Sequence, residues 1–352
     1  MNNKKVIVGL SGGVDSTVCA YLLKQQGYDV IGVTMDLWPG ENGAQAIQDA
    51  KMVAEKIAIP HFVLEFRKEF KENVVDDFIR RYFQGLTPNP CVVCNRYIKG
   101  EALLQKARQL GAHYIATGHY AKVEKHPKTG RYAIRNSETA EKDQTYALYR
   151  LTQEQLEAML LPIGEYTKDE VRNIAQQIDG FIAKKGDSQD ICFIPDGDYA
   201  SFIINESGNS GKSGTFVDVK GNVLGKHKGI IHYTVGQRKG LGLAFGKPMY
   251  VYAVNPKLNQ VVLCENESLF QKTFRVGDLA HMALEKFEDG MRLQGKIRYG
   301  NKMAWCTVRM VDTDIMECTF DEPQRAITPG QSLVLYDGEY VAGGGIILPF
   351  SI

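Results

Sequence analysis

The chain has little that would send it into a membrane or an oxidising compartment. No apolar run approaches the roughly 18 residues of a bilayer-spanning helix, and no signal-peptide core follows the Met-Asn-Asn-Lys-Lys start, so a cytoplasmic protein with no membrane contact is expected. Seven cysteines, an odd number scattered over 352 residues, argue against a disulfide scaffold and for a reducing compartment. Only one Cys-x-x-Cys pair is present, Cys91 and Cys94, whereas structural zinc normally takes four ligands from two such pairs. Neither sign of charge dominates: 42 basic residues face 41 acidic ones, so bulk charge neither demands nor excludes nucleic acid. Internal repeats are missing too. A chain of this length suggests two or three domains, and a monomer is expected.

What is present begins at Val6. The apolar, β-branched strand Val6–Leu10 runs into Ser11-Gly12-Gly13, and an amphipathic segment starts at Ser16. Adjacent glycines let the backbone turn sharply and bring several N–H groups to one anion, while the following helix aims its positive end at the same place. The loop lacks the Gly-Lys-[Ser/Thr] ending of a Walker A motif and has Val14-Asp15-Ser16 instead. Nor does Gly9/Gly12/Gly13 fit the dinucleotide spacing. The run resembles the Ser-Gly-Gly-x-Asp-Ser loop of the PP-loop ATP pyrophosphatases. That resemblance implies that Gly9, Leu10, Ser11, Gly12, Gly13, Val14, Asp15 and Ser16 bind ATP, with Asp15 linking to Mg2+.

Apolar periodicity alternates between strand and helix over the first two hundred residues. Strands are expected at Asp29–Met35, near His61–Phe66 and at His113–Thr117. Helical faces run through Ile47, Ala50, Ala54 and Ile57, through Phe70, Val74, Phe78 and Tyr82, and through Leu103, Ala107 and Leu110. Thr152…Gln155 and Thr167…Glu170 are capping boxes that open two further helices. This pattern predicts an α/β fold, a parallel sheet with helices on both faces and ligands beyond the carboxyl ends of its strands. After the Gly/Ser-rich joint at residues 206–214 the patterns become short and alternating, at Met249–Val254, Gln260–Cys264, Arg292–Tyr299, Ala304–Val311 and Ile315–Phe320. They predict a small β-rich central domain and a C-terminal β-barrel. The expected boundaries are 1–204, 205–275 and 276–352.

Charge is concentrated between Lys212 and Lys247, where seven basic residues face the single acid Asp218, a local +6. His227, His232 and Tyr233 interleave with it. The pattern suits an RNA backbone, although a solvated surface would read the same way. Cys94 is expected near a helix N-terminus with Arg96 and Lys99 close in sequence, both of which lower a thiol pKa. Cys192 lies in the polar run Asp187-Ser-Gln-Asp-Ile-Cys192. Cys19, Cys264, Cys306 and Cys318 fall in helix or strand patterns and read as packing residues. Three thiolates, Cys91, Cys94 and Cys192, could alternatively hold an iron–sulfur cluster with one open iron.

Taken in order, Gly9-Leu-Ser-Gly-Gly-Val-Asp-Ser16, Thr87-Pro-Asn-Pro90, Cys94-Asn95, Ala116-Thr-Gly-His-Tyr120, Lys142-Asp-Gln144, Ser188…Ile191-Cys-Phe-Ile194 and Tyr233-Thr-Val-Gly-Gln-Arg-Lys-Gly-Leu-Gly242 resemble the tRNA-specific 2-thiouridylases almost end to end. The resemblance implies an adenine nucleotide alpha hydrolase-like ATP domain and a tRNA-uridine 2-sulfurtransferase. ATP would adenylate the 2-carbonyl oxygen of the wobble uridine of tRNA. Sulfur would come from a persulfide on Cys192, supplied by a cysteine desulfurase or sulfur-relay protein. Cys94 would be the nucleophile, leaving a Cys94–Cys192 disulfide. It further implies that Met35 and Gly118 contact ATP and that Asn89, Pro90 and Cys91 meet the flipped base. His119, Lys142, Asp143, Gln144, Arg298, Tyr299 and Gln331 would touch tRNA. Cys91 departs from the Asp common in the family and adds a third thiol to the site. Another PP-loop pyrophosphatase or ligase would share the loop without needing Cys94 and Cys192.

Overall fold

The computed structural model describes residues 4–186, 191–244 and 246–350. Its first layer is a five-stranded, wholly parallel sheet ordered His61–Glu65, Asp29–Asp36, Lys5–Gly9, Tyr114–Ala116 and Met159–Leu160. Alternation along the central strand decides which helices cover which face. Val6 and Val8 pack with Val18, Ala50, Val53 and Val171 from the helices Val14–Gln25, Glu41–Lys56 and Lys168–Ile178. Ile7 points the other way, into a core with Phe70, Phe78, Ile98 and Leu104. Because side chains of a strand alternate between faces, one apolar run supplies both cores.

Both capping boxes form: Thr152 and Thr167 accept from the backbone N–H of Gln155 and Glu170, whose side chains reach back to the cap N–H groups. Each such cap stabilises its helix by about 1 kcal/mol. Two helical stretches widen to π geometry, at Lys71–Val75 and at Asn95–Ala102, the second directly after Cys94. Periodicity alone gave no hint of these.

The chain then builds a four-stranded sheet from Gly214–Asp218, Val223–His227, Tyr250–Asn255 and Gln260–Cys264. Six more strands, Phe270–His281, Arg292–Lys296, Ala304–Asp312, Ile315–Arg325, Ser332–Asp337 and Tyr340–Ile347, close into a barrel. The closure is the antiparallel pairing of the first with the last, Val276 opposite Ile347. Closing removes two open edges, and the interior is filled by Phe274, Val308, Met316, Phe320 and Leu335. A hairpin from the first part, Lys122–Lys125 with Tyr132–Arg135, pairs onto the barrel's last strand at Tyr340. Val334, Tyr336 and Val341 of the barrel share one continuous core with the α/β layer and the central sheet. The barrel is therefore fixed against the α/β layer by a shared core and a shared sheet.

Candidate functional site

Gly9 ends the central strand, and the loop after it is built by serines bonding inward. Ser16 Oγ accepts from the Ser11 backbone N–H at 3.2 Å and donates to the Gly13 carbonyl at 3.2 Å; Thr17 Oγ1 donates to the same carbonyl at 2.7 Å. Gly12 takes φ +73°, and a Cβ there would lie 2.4 Å from Asp49 Cβ. Gly13 caps the helix Val14–Gln25 with no side-chain hydrogen bond to the first-turn N–H groups. An uncapped helix start at the end of a parallel strand fits a phosphate group. Two lysines stand beside it. Lys168 Nζ bonds Asp15 at 2.8 and 3.1 Å, with the Tyr120 hydroxyl on the same carboxylate at 2.8 Å. Lys185 Nζ bonds the Gly12 carbonyl at 2.9 Å and Asp49 at 2.6 Å. Burial opposes ionisation of Asp49, but its bonds to Lys185 and Gln45 hold the carboxyl below the usual range.

Met35, at the end of its strand, lies over the loop: a Cβ on Gly9 would meet its methyl at 3.3 Å. Gly118 makes the decisive contact. A Cβ there would lie 2.6 Å from the Asp15 carbonyl carbon and 2.7 Å from the Ser16 nitrogen, so backbone touches backbone. The next residue, His119, is buried and turns toward Lys99, whose Nζ lies 3.5 Å from His119 Nε2. Lysine only donates, so Nε2 accepts and Nδ1–H donates to Thr117 Oγ1 at 2.7 Å. Burial, reinforced by Lys99, holds the His119 pKa well below its usual value, and the ring is neutral.

Lys99 in turn favours the thiolate of Cys91, Cys94 and Cys192 alike, opposing the burial that raises each. Here the structure corrects the reading of Cys94. The helix begins at Pro90, with Asn89 as its cap accepting from the N–H groups of Cys91 and Val92 at 3.1 and 3.4 Å. Cys91, not Cys94, therefore sits in the first turn. Cys94 lies a turn deeper, and burial pushes its thiol up to about 12; Lys99 pulls it down, while Cys192 and Cys91 push it further up. Arg96 takes no part, since its guanidinium donates to the Arg150 carbonyl at 2.6 Å. Cys91 and Cys192 are exposed residues, yet protein crowding each sulfur raises its pKa as well. Cys192 is held by its neighbour Phe193, whose ring lies among Trp38, Phe70, Phe78 and Phe202 at 5.1–6.2 Å between centroids. Residues 187–190 of that motif lie outside the described residues. All seven cysteines are free thiols, and among the described residues no group of three or more His, Cys, Asp or Glu is placed to hold a metal ion.

Several residues expected at an RNA surface are engaged in bracing the fold. Asp143 accepts from the Ser137 and Thr145 N–H groups at 3.1 and 3.2 Å, and Gln144 exchanges two hydrogen bonds with the Tyr120 backbone at 2.9 Å. Arg298 donates to Ala326 O at 2.8 Å and Thr328 Oγ1 at 2.6 Å, and Gln331 donates to Thr87 O at 2.8 Å. Lys142 and Tyr299 are exposed. In the basic stretch the seven cations all face solvent, but His227 and Tyr233 are core residues packed on Phe216. Lys168, Lys185 and Asp49 were missed by sequence reasoning. Lys168 left one signal: it is the first residue of its helix, where the dipole disfavours a cation.

Three family models match in tandem: the tRNA methyl transferase HUP domain over residues 4–196, the tRNA methyl transferase PRC-barrel domain over 201–265, and the aminomethyltransferase beta-barrel domain over 271–347. A tRNA-specific 2-thiouridylase of Clostridioides difficile is 54% identical over 98% of both chains. Its namesake in Lachnoclostridium phytofermentans is 53% identical over 98% of this chain and 99% of the relative. That of Acetivibrio thermocellus is 49% identical over 99% and 100%. Among solved structures, a U34-tRNA thiolase of Methanococcus maripaludis with a [4Fe-4S] cluster aligns at TM-score 0.36 and 19% identity, over 60% of this chain and 69% of that one. So loose a likeness carries no argument about a cluster here. Near-complete coverage at about half identity does carry one: the chain belongs to the tRNA-specific 2-thiouridylase family.

Proposed function

We propose that this protein is an ATP-dependent tRNA-uridine 2-sulfurtransferase that replaces the 2-carbonyl oxygen of the wobble uridine with sulfur. One observation carries the reading. Gly118 lies against the backbone of Asp15, and its neighbour His119 reaches Lys99, the ammonium whose charge favours all three thiolates. Nucleotide site and sulfur site are thereby joined through two consecutive residues. The matched domain models speak of methyl transfer and the relatives of thiolation; three thiols beside a phosphate loop favour thiolation.

ATP supplies activation of the 2-carbonyl, turning oxygen into the leaving atom of AMP. The serine-built loop and the uncapped helix start would hold the phosphates. Cys192, exposed on its loop, is open to a persulfide donor such as a cysteine desulfurase or relay protein. Cys94, buried beneath it, would attack the inner sulfur of the Cys192 persulfide, release the terminal sulfur to the uridine carbon and end in a disulfide with Cys192. Lys99 offsets negative charge on whichever sulfur carries it. The solvent-facing cations between Lys212 and Lys247 offer tRNA phosphates a surface, and the protein would work as a cytoplasmic monomer.

A cluster carrying sulfide on an open iron would need these three thiols gathered as metal ligands, a grouping not found among the described residues. Anaerobic purification with iron and sulfide analysis separates the two readings, as does Cys91→Asp: the persulfide route keeps its activity, whereas the cluster route loses iron and activity together. The reading itself is tested with unmodified tRNA, ATP and a persulfide donor, counting 2-thiouridine by mass spectrometry. Wild type should form it, and Cys94→Ser and Cys192→Ser should not; product from both variants would overturn it.

A further inference from the structure

Two lysines flank the phosphate loop, and they are held differently. Lys185 bonds a carbonyl of the loop itself, that of Gly12, and Asp49, so its charge is committed to the loop's shape. Lys168 bonds a side chain: Asp15 at 2.8 and 3.1 Å, with its ammonium 5.5 Å from the centre of the Tyr120 ring. It is the first residue of the helix Lys168–Ile178, following the Thr167 cap, where the helix dipole repels a cation. It is also mostly shielded, its side chain 13% exposed. A cation placed against its helix dipole and kept out of water needs an anion. Asp15, in the first turn of the helix that opens from the phosphate loop, supplies one.

We propose that Lys168 is a phosphate ligand of the ATP site, stored on Asp15 and transferred to the β- and γ-phosphates when Asp15 takes Mg2+ in its place. The exchange conserves pairing: one carboxylate trades an ammonium for a metal ion, and the freed ammonium trades a carboxylate for phosphate oxygens. Tyr120, whose hydroxyl donates to Asp15 at 2.8 Å, keeps the carboxylate in place during the trade. Lys168 would then neutralise the pyrophosphate that leaves as the uridine is adenylated.

The proposal rests on the reading of the loop as an ATP site, and the experiment separates the two. Equilibrium binding to the full chain is measured for α,β-methylene-ATP with Mg2+, for AMP, and for inorganic pyrophosphate in EDTA. Lys168→Met should weaken the ATP analogue on the order of 10- to 100-fold, the range for losing a charge-assisted hydrogen bond, and leave AMP unchanged. Lys168→Arg should restore most of the loss. Asp15→Asn should bind metal-free pyrophosphate more tightly than wild type, because Lys168 is released from its carboxylate. Equal affinity of Lys168→Met and wild type for the analogue would overturn the proposal. So would equal weakening of analogue and AMP, which would make Lys168 a support of the loop alone. No binding of the analogue to wild type would instead sink the ATP reading, and this proposal with it.

Discussion

Cys94 should be a sluggish thiol in the resting protein, and by a margin large enough to measure. The residue is 8% exposed, and burial pushes its thiol up to about 12. Relative to an ordinary thiol, that disfavours the thiolate by about 4 kcal/mol. At pH 8 a thiol of pKa 9.0 is about one tenth ionised, whereas one at about 12 is ionised in roughly one molecule in ten thousand. Alkylation by iodoacetamide, followed residue by residue by mass spectrometry, should therefore be about a thousandfold slower at Cys94 than at an unperturbed thiol. Poor access would also slow it, so the pH dependence is the cleaner readout. The Cys94 rate should rise about tenfold per pH unit from 7 to beyond 10 with no plateau. Lys99→Met removes a charge that favours the thiolate and should slow Cys94 further. A plateau near pH 7 or 8 would refute the burial argument and restore the activated thiol that the nearby basic residues suggest. With no plateau, activation of Cys94 belongs to the bound substrates, which the resting site anticipates through Lys99.

Gly118→Ala places a methyl 2.6 Å from the Asp15 carbonyl carbon; the loop must shift, at a cost of about 1–3 kcal/mol and roughly a hundredfold in tRNA-dependent pyrophosphate release. Five histidines, 61, 119, 227, 232 and 281, have pKa values lowered chiefly by burial, so between pH 6.5 and 5 the unfolded chain binds protons that the folded one refuses. Stability should fall with pH across that window, by about 1.4 kcal/mol for each unit of depression sampled; an unchanged urea midpoint between pH 7 and 5 would contradict this. Arg238 and Lys239 are exposed. Replacing both with Ala should weaken tRNA binding and reduce the log–log salt slope by roughly 1–2, and an unchanged slope would make them plain surface.

Much of this architecture was legible because it is local. The alternation Val6, Ile7, Val8 marks a strand buried on both faces, and Thr152 and Thr167 announce their helices through residues three positions on. The turn from Ser11 to Ser16 could be read because one short segment makes its internal hydrogen bonds. What escaped depends on distant partners. Lys168 meets Asp15 across 153 residues, and Gln331 meets Thr87 across 244. The Lys122–Arg135 hairpin leaves the first part to join the barrel, a pairing no periodicity records. Cys94 was misjudged for the same reason: flanking cations are visible in the sequence, but burial in the core that the sheet and helices share is not. His227 and Tyr233 looked like RNA contacts in a basic run, yet their rings close the central sheet's core.

The central claim is that the phosphate loop and the thiols serve one reaction. Its most direct test charges Cys192 with a labelled persulfide, adds unmodified tRNA, and follows label and pyrophosphate together in a single turnover. Label should move into the 2-position of the wobble uridine only when ATP is present, with one pyrophosphate released per sulfur transferred and a Cys94–Cys192 disulfide left behind. Transfer of label without ATP, or pyrophosphate release that continues undiminished after Cys94→Ser while label stays on Cys192 and no adenylated tRNA accumulates, would contradict it.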